Sequence, residues 1–181
     1  MMRTTRRRVL AGLGAALALP GILRAEEAFA PPAATLTRAA TPPRDATALI
    51  MQDGDGAVQS LTEFTGKIVV LNLWGPWCVP CRREMPSVAR LAAALDPARG
   101  VVLPLAFDWR GANAVRRFYR ETGITNLPVL MGDGDNLKAV LGFENLPTTA
   151  ILDRSGRMIE QVEGEARWDD PATLDWLMGL A

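Results

Sequence analysis

Ile68-Val69-Val70-Leu71-Asn72-Leu73-Trp74-Gly75-Pro76-Trp77-Cys78-Val79-Pro80-Cys81 is the stretch from which the rest of the chain can be ordered. Residues 68–74 are β-branched or apolar almost without interruption, the pattern of a strand buried on both faces. Gly75 and Pro76 break that strand, and two cysteines three positions apart follow. A helix is expected from about Pro80 to Leu95, with Val88, Leu91, Ala92 and Leu95 on one stripe and a kink at Pro86. The cysteines therefore sit where a buried strand turns into a helix. Unpaired backbone N–H groups and the positive end of the helix dipole lower the pKa of a thiol placed there.

Working outward, Val101 to Phe107 reads as a second buried strand and Ala112 to Thr122 as a second helix, ended by Gly123. Leu127 to Met131 is a short apolar piece, and residues 133–145 read as an inserted loop with a helical turn around Asn136 to Leu141. Thr149–Leu152 and Met158–Val162 form a hairpin through Asp153-Arg154-Ser155-Gly156. Asp170-Pro171 opens a closing helix to about Leu180, with proline at its first position. Upstream, Ala48–Gln52 and Ala57–Leu61 flank Asp53-Gly54-Asp55-Gly56, a second hairpin signal. The alternation specifies an α/β layer fold.

The 181 residues are 49% apolar and 22% charged, enough to bury a core. Histidine is absent, which removes Ser-His-Asp and Cys-His nucleophile pairs and every histidine-ligated metal site. Five arginines and two glutamates fall in residues 1–30, leaving 15 basic and 18 acidic residues, a net charge of about −3. That balance offers no electrostatic case for nucleic-acid binding.

The amino terminus reads as an address. Residues 3–8 are basic and Val9–Leu19 form an apolar run, shorter than the ~20 residues of a membrane span. Thr5-Arg6-Arg7-Arg8-Val9-Leu10 matches the twin-arginine export pattern, though an ordinary secretory signal rich in arginine fits as well. Ala28-Phe29-Ala30 is the best cleavage site; Pro31 after it disfavours cutting, and an uncut segment would anchor the protein to a membrane. Residues 31–47, with four prolines, read as a linker, and 48–181 as the folded domain. Outside the cytosol a lone cysteine pair is a disulfide unless something reduces it.

Such a pair has three readings. A structural disulfide closing so short a loop contributes only ~2 kcal/mol by loop-closure entropy. A zinc site needs two more ligands, and no histidine or third cysteine exists. A redox couple fits best, with Cys78 at the helix start as the attacking sulfur and Cys81, one turn on, resolving the mixed disulfide.

Asn72-Leu73-Trp74 through Cys81-Arg82-Arg83-Glu84-Met85-Pro86 resembles the signature of the TlpA/ResA branch of exported thioredoxin-like proteins. Leu146-Pro147-Thr148-Thr149, Asp153 and Gly156-Arg157 match that branch's second half, so the resemblance spans about residues 45–178. It implies a thioredoxin-like fold: a central mixed sheet flanked by helices, with an N-terminal β-hairpin extension and a short insertion near 133–145. The buried aspartate of thioredoxins falls on Asn72, which cannot take a proton. By the same resemblance Glu84 serves the thiol chemistry as acid and base. The alternative for Glu84 is a helix-start residue, or a partner of Arg82 or Arg83. Pro147 maps to the family's cis-proline, leaving the backbone of Leu146 to pair with a substrate strand; a simple tight turn is the alternative. Trp77 and Pro76 would form an apolar rim together with Trp74, which equally suits the core.

The resemblance implies an exported, periplasmic thiol-disulfide oxidoreductase that reduces protein disulfides, without cofactor or metal, and is re-reduced by a membrane electron donor. Two substrate classes fit: copper-ligand cysteines of cytochrome oxidase and its copper chaperone, or haem-binding cysteines of apocytochrome c. Cys-Val-Pro-Cys and Gly164-Glu165-Ala166-Arg167-Trp168 look closer to TlpA, on the copper side. A non-enzymatic alternative is Cu(I) held by Cys78 and Cys81, with Met85. A peroxidase is disfavoured, since no threonine is placed before Cys78 to support a peroxide.

Overall fold

A computed structural model describes residues 36–180. The elements in chain order are β1 (Leu36–Asp45), β2 (Met51–Asp53), β3 (Val58–Gln59), β4 (Ile68–Trp74), α1 (Val79–Ala94), β5 (Gly100–Ala106), α2 (Ala112–Thr122), β6 (Leu130–Gly132), α3 (Gly134–Leu141), β7 (Thr148–Leu152), β8 (Arg157–Glu163) and α4 (Pro171–Gly179). The strands form one eight-stranded mixed sheet in the order β1-β8-β7-β4-β5-β6-β2-β3. β5 runs parallel to β4 and to β6, whereas β4–β7, β7–β8, β1–β8, β2–β6 and β2–β3 are antiparallel.

β4 lies at the centre, buried along its whole length, and its alternate residues feed two cores. Ile68, Val70 and Trp74 pack with Met85, Val88 and Leu91 of α1, Phe118 and Tyr119 of α2, and Leu177 of α4. Val69, Leu71 and Leu73 face the other way, towards Leu103, Leu105 and the α3 residues Leu137 and Leu141. Asn72 shares its parity with the α1 side of the sheet. That parity is what brings it to the site.

One expectation requires correction. Residues 31–47 are not simply a linker, because 36–45 form β1 on the outer edge of β8. Pro42 and Pro43 fall between Ala39 and Arg44, where the register shifts, so the missing N–H groups lie outside the ladder. Arg38 fastens the strand by donating from Nη2 to Glu163 Oε1 at 2.7 Å and from Nε to Gln161 Oε1 at 3.1 Å. The helical turn expected around Asn136 to Leu141 within the 133–145 insertion is helix α3, which starts two residues earlier at Gly134. The Asp133 side chain caps it by accepting from the Asn136 N–H at 2.8 Å, and Leu137 and Leu141 sit in the core.

The first hairpin is present but short. Ser60 ends β3 and begins a 3-10 turn over Leu61–Phe64, in a reciprocal capping box with Glu63. α2 stops at Gly123, whose φ of 70° is the left-handed conformation that closes helices. α1 runs through Pro86 without a break. The export signal expected over residues 1–30 lies outside the described residues. Within them no helix is long and apolar enough to cross a membrane.

Candidate active site

Cys78 is the N-cap of α1. β4 ends at Trp74, and the turn after it closes with the Cys78 N–H donating to Gly75 O at 2.9 Å. The first helical bond runs from the Arg82 N–H to Cys78 O at 3.0 Å, and Pro80 occupies the helix's opening, where its missing N–H leaves nothing unpaired. A Cβ at Gly75 would stand 2.7 Å from Trp77 Nε1, so the indole keeps its present place only over a glycine. That indole folds back over the turn and donates to Phe107 O at 3.1 Å.

Cys78 and Cys81 form a disulfide with Cα atoms 5.3 Å apart. The two sulfurs differ in environment. Cys78 is 6% exposed and borders a cleft; Cys81 is 0% exposed within the core. The Cys81 N–H points at Cys78 Sγ from 3.3 Å, so the helix end that caps this sulfur in the disulfide would also stabilise its thiolate.

Glu84 lies one helical turn beyond Cys81 on the same face. It is only 2% exposed and is surrounded by donors. Asn72 Nδ2 donates to Oε1 at 2.8 Å; the Ala166 N–H and Trp168 Nε1 donate to Oε2 at 3.1 and 3.4 Å. Burial is the dominant influence and raises its pKa from 4.5 to about 7, against the pull of those three hydrogen bonds; the nearby charge of Glu165 adds to the rise. The expected alternative, a pairing of Glu84 with Arg83, is not what the structure shows. Arg83 Nε donates to Glu165 Oε2 at 2.8 Å, on the surface. The Ser87 hydroxyl, accepting from the Trp168 N–H at 3.2 Å, holds residues 166–168 across α1 over Glu84.

The cleft beside Cys78 has a volume of about 760 Å³, and Trp77, Phe107, Phe143 and Leu146 give it an apolar lining. Trp77 is 46% exposed at its rim. The Leu146–Pro147 peptide is cis. Pro147 is buried behind Leu146 and does not line the cleft itself. Trp74 does not belong to the rim: it is fully buried, stacked on Tyr119 with ring centroids 5.8 Å apart. Pro76 lines a separate cleft between the start of α1 and α2, beside Arg82 and Phe118. The residues that sequence reasoning missed are Thr149, which accepts from Asn72 at 2.9 Å, and Ala166 and Trp168 over Glu84. The strand parity of Asn72 was the available signal for the first. The other two lie in the Gly164–Trp168 stretch that resembles TlpA, but nothing in that stretch marks their contact with Glu84. Among the described residues no three Cys, Asp or Glu side chains cluster as metal ligands would.

A disulfide that closes so small a loop is a redox couple rather than a brace. Set at a helix start after the central strand of a mixed sheet, it defines the class of thioredoxin-like thiol-disulfide oxidoreductases. The chain belongs to the AhpC/TSA family, whose sequence pattern matches residues 42–161. It is 31% identical over 122 residues to the thiol-disulfide oxidoreductase ResA of Bacillus anthracis, covering 67% of this chain and 69% of the relative. ResA of Geobacillus thermodenitrificans is also 31% identical, over 121 residues that cover 67% of this chain and 68% of the relative. The fold resembles the exposed lipoprotein thioredoxin of Streptococcus pneumoniae, with TM-score 0.62 and 26% identity over 72% of this chain and 98% of that one. A DsbF homologue from Corynebacterium diphtheriae matches with TM-score 0.62 and 26% identity, over 82% of this chain and 96% of that one.

Proposed function

We propose that the protein is an exported, periplasmic reductant of protein disulfides, with Cys78 as attacker, Cys81 as resolver and Glu84 as acid and base. The observation that carries this reading is the asymmetry of the two sulfurs: one at a helix N-terminus beside a cleft, the other buried with a carboxyl group of neutral pKa one turn away.

In the reduced protein the Cys78 thiolate attacks a substrate disulfide. A Cys78–substrate bond forms, the substrate S–S bond breaks, and one substrate thiolate leaves. Cys81 then yields its proton to the Glu84 carboxylate and attacks Cys78 Sγ. The mixed disulfide breaks, the second substrate sulfur leaves, and the Cys78–Cys81 disulfide remains. Two electrons have passed to the substrate. A pKa near 7 suits Glu84 to taking and returning that proton close to neutral pH. A dithiol donor at the membrane then restores the reduced form. Leu146, presented by the cis Pro147, and Trp77 would hold the substrate strand in the cleft, with Pro76 buttressing the turn.

The substrate cysteines are those of a copper site in cytochrome oxidase assembly, in preference to the haem-site cysteines of an apocytochrome c. The support is the likeness of Cys-Val-Pro-Cys and of Gly164–Trp168 to TlpA.

Cys81→Ser tests the scheme. Exported in cells, it accumulates covalent adducts that vanish under reductant, whereas Cys78→Ser does not; the identity of the adducts names the substrate. Equal trapping by both variants would overturn the assignment of attacker and resolver. Trapping by neither would favour a thiolate copper-binding module.

A further inference from the structure

The second cleft, about 250 Å³, is walled by Pro76 and Arg82 on one side and by Arg110, Arg117, Phe118 and Glu121 on the other. Its charges are unbalanced. Arg110 is satisfied by Asp108, with Nη2 2.6 Å from Oδ2. Among the described residues neither Arg82 nor Arg117 has a carboxylate within salt-bridge distance. The Arg82 guanidinium is nevertheless held in place: it donates to Pro76 O at 3.3 Å and lies over the Phe118 ring, 4.9 Å from its centroid. A fixed guanidinium with free N–H groups, beside a second arginine, is a receptor for a carboxylate. The cleft beside Cys78 carries the opposite balance, with Asp135 and Glu144 against Lys138.

We infer that the cleft between α1 and α2 binds an acidic side chain of the protein whose disulfide is reduced, so that substrates carry a carboxylate near the attacked bond. Pro76, which lines this cleft, stands in the redox turn two residues before Cys78, so the cleft opens beside that turn on the side away from the cleft at Cys78. The small volume admits one side chain. The inference rests on the reductase reading above and adds a criterion for choosing among substrates.

The test uses the reduced full-length protein and synthetic peptides sharing one intramolecular disulfide loop. Glutamates, lysines or uncharged residues are placed before or after the loop, and reduction rates are measured. In one placement the glutamate peptide reacts about tenfold faster than the lysine peptide at low salt, and the gap closes by about 0.5 M salt. Arg117→Glu inverts the preference and Arg117→Lys keeps it. Equal rates for glutamate and lysine peptides in both placements would overturn the inference, as would a preference that survives Arg117→Glu. Wild-type failure to reduce the uncharged peptide would overturn the reductase reading instead, and the inference with it.

Discussion

Asn72 on β4 donates through Nδ2 to Glu84 Oε1 on α1 at 2.8 Å, and so ties the central strand to the helix that carries both cysteines. The same amide nitrogen reaches Thr149 Oγ1 on β7 at 2.9 Å, in register with Asn72 across the sheet. Asn72 Oδ1 has no partner in this arrangement. The protein thus keeps its buried carboxyl on the helix, and the strand beneath supplies a neutral amide to position it. In the proposed scheme this relationship positions the group that takes the Cys81 proton.

Replacing that carboxyl tests the proton's role. Glu84→Gln slows thiol exchange several-fold near neutral pH and flattens its pH dependence around 7, because the titrating group at about 7 is gone. Exchange kinetics from pH 5 to 9 check this. An unchanged profile would reduce Glu84 to a structural residue.

The same shift has a sign in stability. The folded pKa of about 7 lies above the ordinary 4.5, so the native state holds a proton that the unfolded chain releases. That contribution is present in full below pH 4.5 and is lost as pH rises through about 7. It amounts to something on the order of 3 kcal/mol. Relative to wild type, Glu84→Gln therefore gains stability between pH 4 and pH 8 by an amount of that order. Denaturant midpoints at the two pH values measure it, and a constant difference would contradict the burial of a titrating carboxyl.

Asn72→Asp places a second carboxyl within hydrogen-bond distance of the first. Two such groups share a proton, so one apparent pKa falls and the other rises above that of Glu84 alone. The alkaline limb of the exchange profile moves upward, and stability at pH 8 drops. A profile superimposable on wild type would show that the Asn72–Glu84 contact is not formed in solution.

Arg83 offers a control. Its ion pair with Glu165 is half-exposed, and exposed pairs contribute up to about 1 kcal/mol. Arg83→Ala costs no more than that and leaves the pH dependence of exchange where it was. A large shift in the exchange profile would mean that Arg83 interacts with Glu84 after all.

Much of this arrangement was legible in residues 68–81: a continuous apolar run specifies a central strand, and two cysteines after Gly-Pro specify a helix start. The expected Glu84 placement followed from helical spacing. Its burial did not, because the donors Ala166 and Trp168 come from a segment 82 and 84 residues away, without local periodicity. Strand β1 was hidden for a different reason. Prolines 42 and 43 read as linker, yet they fall in an edge-strand bulge where no ladder bond is asked of them. Helix α3 read as no more than a turn around Asn136 to Leu141 because only Leu137 and Leu141 of its eight residues are buried and a glycine stands at each end.

If β1 is part of the fold, truncation to Ala46 uncovers the edge of β8. Tm then falls by roughly 5 °C or more, and the exposed edge promotes self-association. Calorimetry and light scattering check both. An unchanged Tm would restore residues 36–45 to the status of a linker.

The most direct test of the central claim is the reduction potential of the Cys78–Cys81 couple, measured by equilibration against glutathione. The two residues between the cysteines, Val79 and Pro80, carry no charge, and the only hydrogen bond to Cys78 Sγ among the described residues comes from the Cys81 N–H. With the helix end alone stabilising the Cys78 thiolate, the proposed reading predicts a reductant with a potential close to thioredoxin's ~−270 mV. A strong oxidant lies some ~150 mV higher, equivalent to about 7 kcal/mol of extra stability in the reduced form, and a value near −120 mV would contradict the account.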